Sequence, residues 1–130
     1  FFKGCLPYNT VVTFGDSYSD TKNGYALTNS TWPPIKSPNN LNSTKYIDDQ
    51  LWNEIFTHNY LTNSTLQDYS CGCATTDNSL VRGTMHCSPI SNSNDTYLSS
   101  INATSVREQI SKYIASNSIK TLDFDRTLYI

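Results

Sequence analysis

The sequence is short of apolar residues and of charge, and each shortage excludes a class of protein. Ala, Val, Ile, Leu, Met, Phe, Trp, Cys and Gly together supply 44 of the 130 residues, against about 45–50% in a typical globular chain. No apolar run approaches the ~20 residues needed to cross a bilayer, so no transmembrane segment is expected. Charged residues make up 15% of the chain and the net charge is −2. There is therefore no basic field to draw in nucleic acid or anionic lipid. The chain lacks an internal repeat. It also starts at Phe1 without Met and without a charged segment followed by an apolar one. A secretion signal is accordingly expected to be absent or already removed. Small neutral polar residues fill the space, with 17 Ser, 16 Thr and 14 Asn. Nine Tyr, five Phe and two Trp still provide aromatic material for a core and argue against disorder. The length allows one domain at most.

Five Asn-x-Ser/Thr triplets begin at Asn29, Asn42, Asn63, Asn94 and Asn102, none interrupted by Pro. Such triplets are glycan acceptors in a secretory compartment, and five of them favour a secreted, extracellular glycoprotein. The four cysteines, Cys5, Cys71, Cys73 and Cys87, fit that setting as two disulfides with three possible pairings. Cys71 and Cys73 are too close for an easy mutual bridge, so each is expected to pair elsewhere. A Cys71, Cys73, His86, Cys87 zinc set is the sharper alternative. Its spacing is poor, because adjacent His86 and Cys87 rarely both turn toward one ion, and no metal is expected.

Apolar periodicity outlines the elements. Thr10–Phe14 reads as a buried strand between Pro7 and Gly15. Residues 21–45, with Pro33, Pro34 and Pro38, read as a long surface loop. Asp48 and Asp49 open a helical pattern whose apolar face is Leu51, Trp52, Ile55 and Phe56. Leu66–Cys71 is a second strand, followed by a polar loop over roughly 75–102. Ser105 and Glu108 form a reciprocal capping pair opening a helix with Val106, Ile110, Tyr113 and Ile114 as its buried stripe. Thr127–Ile130 is a third strand. Strand and helix alternation implies a parallel α/β sheet. The third strand coincides with the last residue given, so the sheet is expected to continue beyond it, and the isolated stretch to be unstable at that unpaired edge.

The chemistry-bearing candidate is Phe14-Gly15-Asp16-Ser17-Tyr18-Ser19-Asp20, directly after the first strand. In parallel sheets ligands gather at the carboxyl ends of strands. A serine on a sharp turn there exposes its hydroxyl beside backbone N–H groups able to hold an oxyanion. Gly, Asp and Ser also favour ordinary turns, so the tripeptide alone does not decide.

The wider pattern adds to it. Phe14–Asp20 resembles the first block of the GDSL (SGNH) esterase and lipase family, Gly-Asp-Ser-x-Ser-Asp. Tyr69-Ser-Cys-Gly-Cys-Ala-Thr-Thr-Asp-Asn78 is similar to its second block. Their separation, with Trp32-Pro33-Pro34 and Trp52 between them, is similar to fungal carbohydrate-esterase members. Residues 105–130 resemble the helix and strand leading into the third block. The resemblance implies an α/β fold, a partial flavodoxin-like three-layer α/β/α sandwich with a parallel sheet, truncated after the third strand. On it, residues 1–130 are the N-terminal part of a single hydrolase domain acting on a small-molecule or carbohydrate ester, without a cofactor. Ser17 would be the nucleophile and would lend its own N–H to the oxyanion hole. Gly72 and Cys73 are alternative donors of a second N–H, and Gly15, Asp16 and Asp20 would shape the turn.

Two departures matter. Cys73 falls where the family carries its donor glycine, so a φ above zero there would carry strain of about 1–3 kcal/mol. The Gly-x-Asn-Asp and Asp-x-x-His blocks, which supply a further oxyanion donor and the general base, are expected beyond Ile130. His58 is expected at a helix end on the surface and His86 in a loop, and neither follows an Asp-x-x. A serine without a base is a weak nucleophile, so these residues alone are expected to be inactive. The competing expectation is a secreted non-catalytic binding module derived from the same fold.

Overall fold

A computed structural model describes residues 8–30, 45, 50–61, 63–86, 100–117 and 123–130. Its centre is a three-stranded parallel sheet. The strands β1 (Thr10–Thr13), β2 (Thr65–Asp68) and β5 (Thr127–Tyr129) lie in the order β2-β1-β5. Val11 stands opposite both Leu66 and Leu128, and Val11 and Val12 are fully buried. All three expected strands are present, each ending one to three residues sooner than its apolar run. The backbone pairing runs on past them: Tyr69 N–H donates to Thr13 O, and Ile130 N–H to Val12 O, each at 2.9 Å.

The helices differ more from their sequence patterns. A short helix α1 (Asn23–Leu27) lies inside the stretch expected to be loop. It forms because the Asp20 carboxylate accepts the N–H groups of Asn23 at 2.6 Å and Gly24 at 2.9 Å, donors that a helix start leaves orphaned. Helix α2 (Trp52–Ile55) continues as a π-helical turn over Phe56–Tyr60. The expected opening residues Asp48 and Asp49 lie outside the described residues. Leu51 is buried as expected, but Trp52 and Ile55 are exposed, and the inward residues are Asn53 and Thr57. The reason is hydrogen bonding. Asn53 Nδ2 donates to Ser19 O at 2.8 Å and to Thr13 Oγ1 at 3.3 Å, so the sheet end here asks for an amide rather than for apolar bulk.

Helix α3 (Val106–Ser116) starts at the expected reciprocal cap: Ser105 N–H donates to Glu108 Oε2 at 2.8 Å and Glu108 N–H to Ser105 Oγ at 3.4 Å. Tyr113 is buried as expected, whereas Ile110 and Ile114 are exposed at 41% and 48%. The buried line is instead Ser105, Gln109 and Tyr113, a rotation of one residue that brings a glutamine inward. Tyr113 meets the rings of Phe14, Tyr69 and Tyr129 edge-on at 5.9, 5.6 and 5.7 Å, favourable aromatic geometry. Asn53 of α2 touches Thr13 and Tyr113 of α3 touches Phe14. Consecutive side chains in extended chain leave opposite faces, which sets the two helices on opposite sides of the end of β1.

The expected polar loop over 75–102 holds an antiparallel pair, β3 (Thr84–His86) with β4 (Ser100–Asn102), Met85 opposite Ile101. Three-residue strands are too short for a periodic signal. They build a small second core of Cys71, Met85 and Ala103, with Leu27 and Ala74 against it. No helix among the described residues is long and apolar enough to cross a membrane.

Candidate functional site

The Ser17 turn begins where β1 gives out. Gly15 has φ +142°, a conformation open to glycine and strained for other residues. Space is not its constraint, since an added Cβ would meet Ser19 Oγ and Ser70 Oγ only at 3.8 and 4.0 Å. Asp16 then folds the chain over. Its carbonyl accepts the N–H groups of Ser19 and Asp20 at 3.1 Å, and its Oδ1 accepts Tyr18 N–H at 3.1 Å. Ser17 sits half-buried at the crest beside an exposed Tyr18. Neither its N–H nor its hydroxyl is hydrogen-bonded to another described residue.

The underside of the turn is fastened by buried polar groups. Trp52 Nε1 donates to Ser19 Oγ at 3.1 Å. Asp20 is 1% exposed, and besides the two α1 amides it accepts Gly72 N–H at 2.7 Å. Burial raises its pKa, outweighing the N–H contacts from Gly72, Gly24 and Asn23 that pull it down, and the charge of Asp68 adds to the upward push. Asp68, at the end of β2, accepts Thr13 Oγ1 and Ser70 N–H at 2.9 Å through Oδ1, and Thr21 N–H and Oγ1 at 2.8 and 2.9 Å through Oδ2. Asn23 Nδ2 bridges to the carbonyls of Asp68 and Ser70 at 3.0 and 2.8 Å. Among the described residues Ser70 Oγ is a buried hydroxyl with no partner.

The second turn runs from Cys71 to Ala74, closed by Ala74 N–H donating to Cys71 O at 3.0 Å. Cys73 has φ +62° at the third position of that turn, where a positive φ usually calls for Gly or Asn. Gly72 N–H is committed to Asp20. Cys73 N–H has no partner among the described residues, so of the two alternative donors it is the one left available. Gly83 packs beneath, and here space is the constraint: an added Cβ would collide with the Cys73 carbonyl oxygen. Cys71 is buried and Cys73 exposed, both as free thiols. Burial raises both thiol pKa values, with Asp16 and Asp20 adding to the effect at Cys73. Raised thiols stay protonated and weakly nucleophilic. With both thiols free, the expected bridges from Cys71 and Cys73 are not formed, and Cys5 and Cys87 lie outside the described residues.

The Thr75–Asn78 segment leads from this turn to α3. The carbonyls of Thr75 and Thr76 accept Val106 and Arg107 N–H at 2.9 and 3.1 Å. Asp77 meets Arg107 Nη1 at 2.8 Å and Asn78 Nδ2 meets Glu108 Oε2 at 2.9 Å. The Ser79 amide, then the Arg107 guanidinium, hold the Asp77 pKa down at about 2.

His58 is exposed on the π-helical turn with Nδ1 on Glu54 O at 2.8 Å, and only the backbone of His86 is described, in β3. Among the described residues no three His, Cys, Asp or Glu gather as a metal site. Of the acceptor triplets, Asn29, Asn63 and Asn102 are exposed, and Asn42 and Asn94 fall outside the described residues. A hollow of about 500 Å³ between β4 and α3 is lined by Asn78, Arg82, Asn102, Glu108 and Lys112 and not by Ser17.

Sequence reasoning missed Asp68, Asn23, Asn53 and Gln109. The signal for Gln109 was its place four residues from both Ser105 and Tyr113, a helical line with a polar member. A carboxylate closing a strand was the signal for Asp68. In comparison with known proteins, no family model and no curated protein matches the chain.

Proposed function

We propose that this chain carries the nucleophile end of a GDSL-type serine hydrolase acting on carboxylic esters, with a flavodoxin-like α/β/α arrangement. Ser17 is its nucleophile, and the amides of Ser17 and Cys73 stabilise the oxyanion. The observation that carries this reading is the pair of unpartnered N–H groups, one on each of two turns fastened to each other through Asp20. Backbone donors that are fixed and unspent are what a developing oxyanion requires. The sheet order supports it as well, since both turns leave the carboxyl ends of neighbouring parallel strands. The exposure of Asn29, Asn63 and Asn102 supports a secreted glycoprotein.

Attack at a carbonyl needs a base to take the Ser17 proton, and the described surroundings of Ser17 include no imidazole. His58 is turned to its own helix. This favours the second reading, a secreted binding module that keeps the turn without turnover, and the αL strain at Cys73 points the same way. One experiment separates them. The protein expressed from its own gene is assayed against aryl acetates and acetylated oligosaccharides beside Ser17→Ala. The hydrolase reading expects turnover that falls by roughly three orders of magnitude or more on losing the nucleophile. Equal rates for the two proteins, or no turnover in either, favours the binding module.

A further inference from the structure

Phe14 carries the β1 pairing one residue past the strand, its N–H donating to Ile130 O at 2.9 Å. Gly15 comes next, beyond the last residue of β1, and both of its peptide groups are paired by one side chain. Gly15 N–H donates to Gln109 Oε1 at 2.9 Å, and Gln109 Nε2 donates back to Gly15 O at 2.8 Å. The glutamine does what one more residue of a neighbouring strand would do. Its remaining Nε2 proton goes to Thr104 O at 2.9 Å, and the side chain is fully buried. These three bonds fix the amide in one sense only, because a flipped amide would set its oxygen against two carbonyls and its NH₂ against an N–H. Gly15 O also accepts Cys71 N–H at 3.0 Å, so the same peptide reaches the second turn.

The geometry points to Gln109 as the positioning residue of the nucleophile turn. It sets the peptide plane from which Asp16 and Ser17 depart and, through the Gly15 carbonyl, the spacing between the Ser17 and Cys73 amides. This rests on the reading of Ser17 as nucleophile. Gln109 touches no substrate in this role and acts through Gly15. Glutamic acid is an instructive replacement. Ionised, it would still accept Gly15 N–H but would face two carbonyl oxygens without a proton. Protonated, it regains one donor. No titratable side chain is hydrogen-bonded to the Gln109 amide among the described residues. Of the charges on the same helix, Lys112 reaches Thr104 Oγ1 at 3.4 Å, Glu108 is held by Ser105 N–H and Arg107 by Asp77, and Asp20 lies beyond Gly72 in the neighbouring turn.

The test is the rate at which a fluorophosphonate phosphonylates Ser17 in the protein expressed from its own gene. It is measured for wild type, Gln109→Met and Gln109→Glu from pH 5 to 8, with thermal unfolding alongside. Small misplacements at a reacting centre cost about a hundredfold, so the Met variant is expected to react ten- to a hundredfold more slowly at every pH. The Glu variant is expected to be as slow at pH 8 and to recover severalfold relative to wild type toward pH 5. A folded Gln109→Met protein labelled at the wild-type rate would overturn the positioning role and leave the nucleophile reading standing. Wild type that is never labelled overturns both, beginning with the nucleophile. If the Met variant does not fold, the Glu variant decides: a ratio to wild type that stays flat across pH contradicts the inference.

Discussion

Two junctions in this molecule each fasten a turn to a helix through a carboxylate, and they do so in opposite surroundings. At the first, Asp20 is buried and gathers the amides of Asn23, Gly24 and Gly72. At the second, Asp77 and Glu108 hold the Thr75–Asn78 segment to α3, with Arg107 largely in water. Their pKa directions are opposed accordingly, up for Asp20 by burial and down for Asp77 and Glu108 by N–H donors. The difference teaches where rigidity is concentrated. A buried amide that loses its acceptor has no water to replace it, whereas an exposed pair exchanges freely with solvent. The tightly held junction is the one beneath Ser17.

Replacing each carboxylate breaks the comparison most directly. Asp20→Ala leaves three N–H donors without their acceptor, and at about 1–3 kcal/mol for each buried donor it should destabilise the fold by about 3 kcal/mol or more in urea unfolding. Asp77→Ala should leave the urea midpoint within experimental scatter. Equal losses would show that burial does not separate the two sites. A smaller effect of opposite sign is expected at the second turn. Cys73→Gly removes the Cβ from a residue at φ +62° and should stabilise by about 1 kcal/mol, while Cys73→Ser, which keeps the Cβ, should not.

The smallest effect is electrostatic, and its sign differs between the junctions. A folded pKa above the unfolded value, as at Asp20, contributes stability that is complete below the ordinary carboxylate value of 3.8 and is lost as pH rises through the folded pKa. A depressed pKa, as at Asp77, contributes stability above 3.8 that is lost as pH falls toward about 2. Carboxyl ¹³C titration should therefore place Asp20 above the usual range and Asp77 near 2. The reverse order would mean that the N–H donors, not desolvation, govern Asp20.

How much of this was legible in the sequence follows the same division. The three strands were readable because Val11, Val12, Leu66 and Leu128 are apolar where the sheet is buried. The α3 start was readable because its cap is local, Ser105 to Glu108. The turn after a strand made Ser17 a candidate, whereas the two alternative donors at Gly72 and Cys73 were marked only by the resemblance of residues 69–78 to a family block. What was not legible is the polar interior. Asn53, Gln109 and Asp68 are inward because a partner tens of residues away needs them, as Gln109 serves Gly15. An apolar periodicity then picks Trp52, Ile55, Ile110 and Ile114, its neighbours on the helix. The β3–β4 pair escaped for another reason, being too short to show a period at all.

The central claim is that the Ser17 hydroxyl is a nucleophile held beside two unspent amides. Mass mapping of a fluorophosphonate adduct on the protein expressed from its own gene tests it most directly. The account predicts one adduct, on Ser17, absent from Ser17→Ala. An unlabelled wild type, or an adduct that persists in Ser17→Ala, would contradict it.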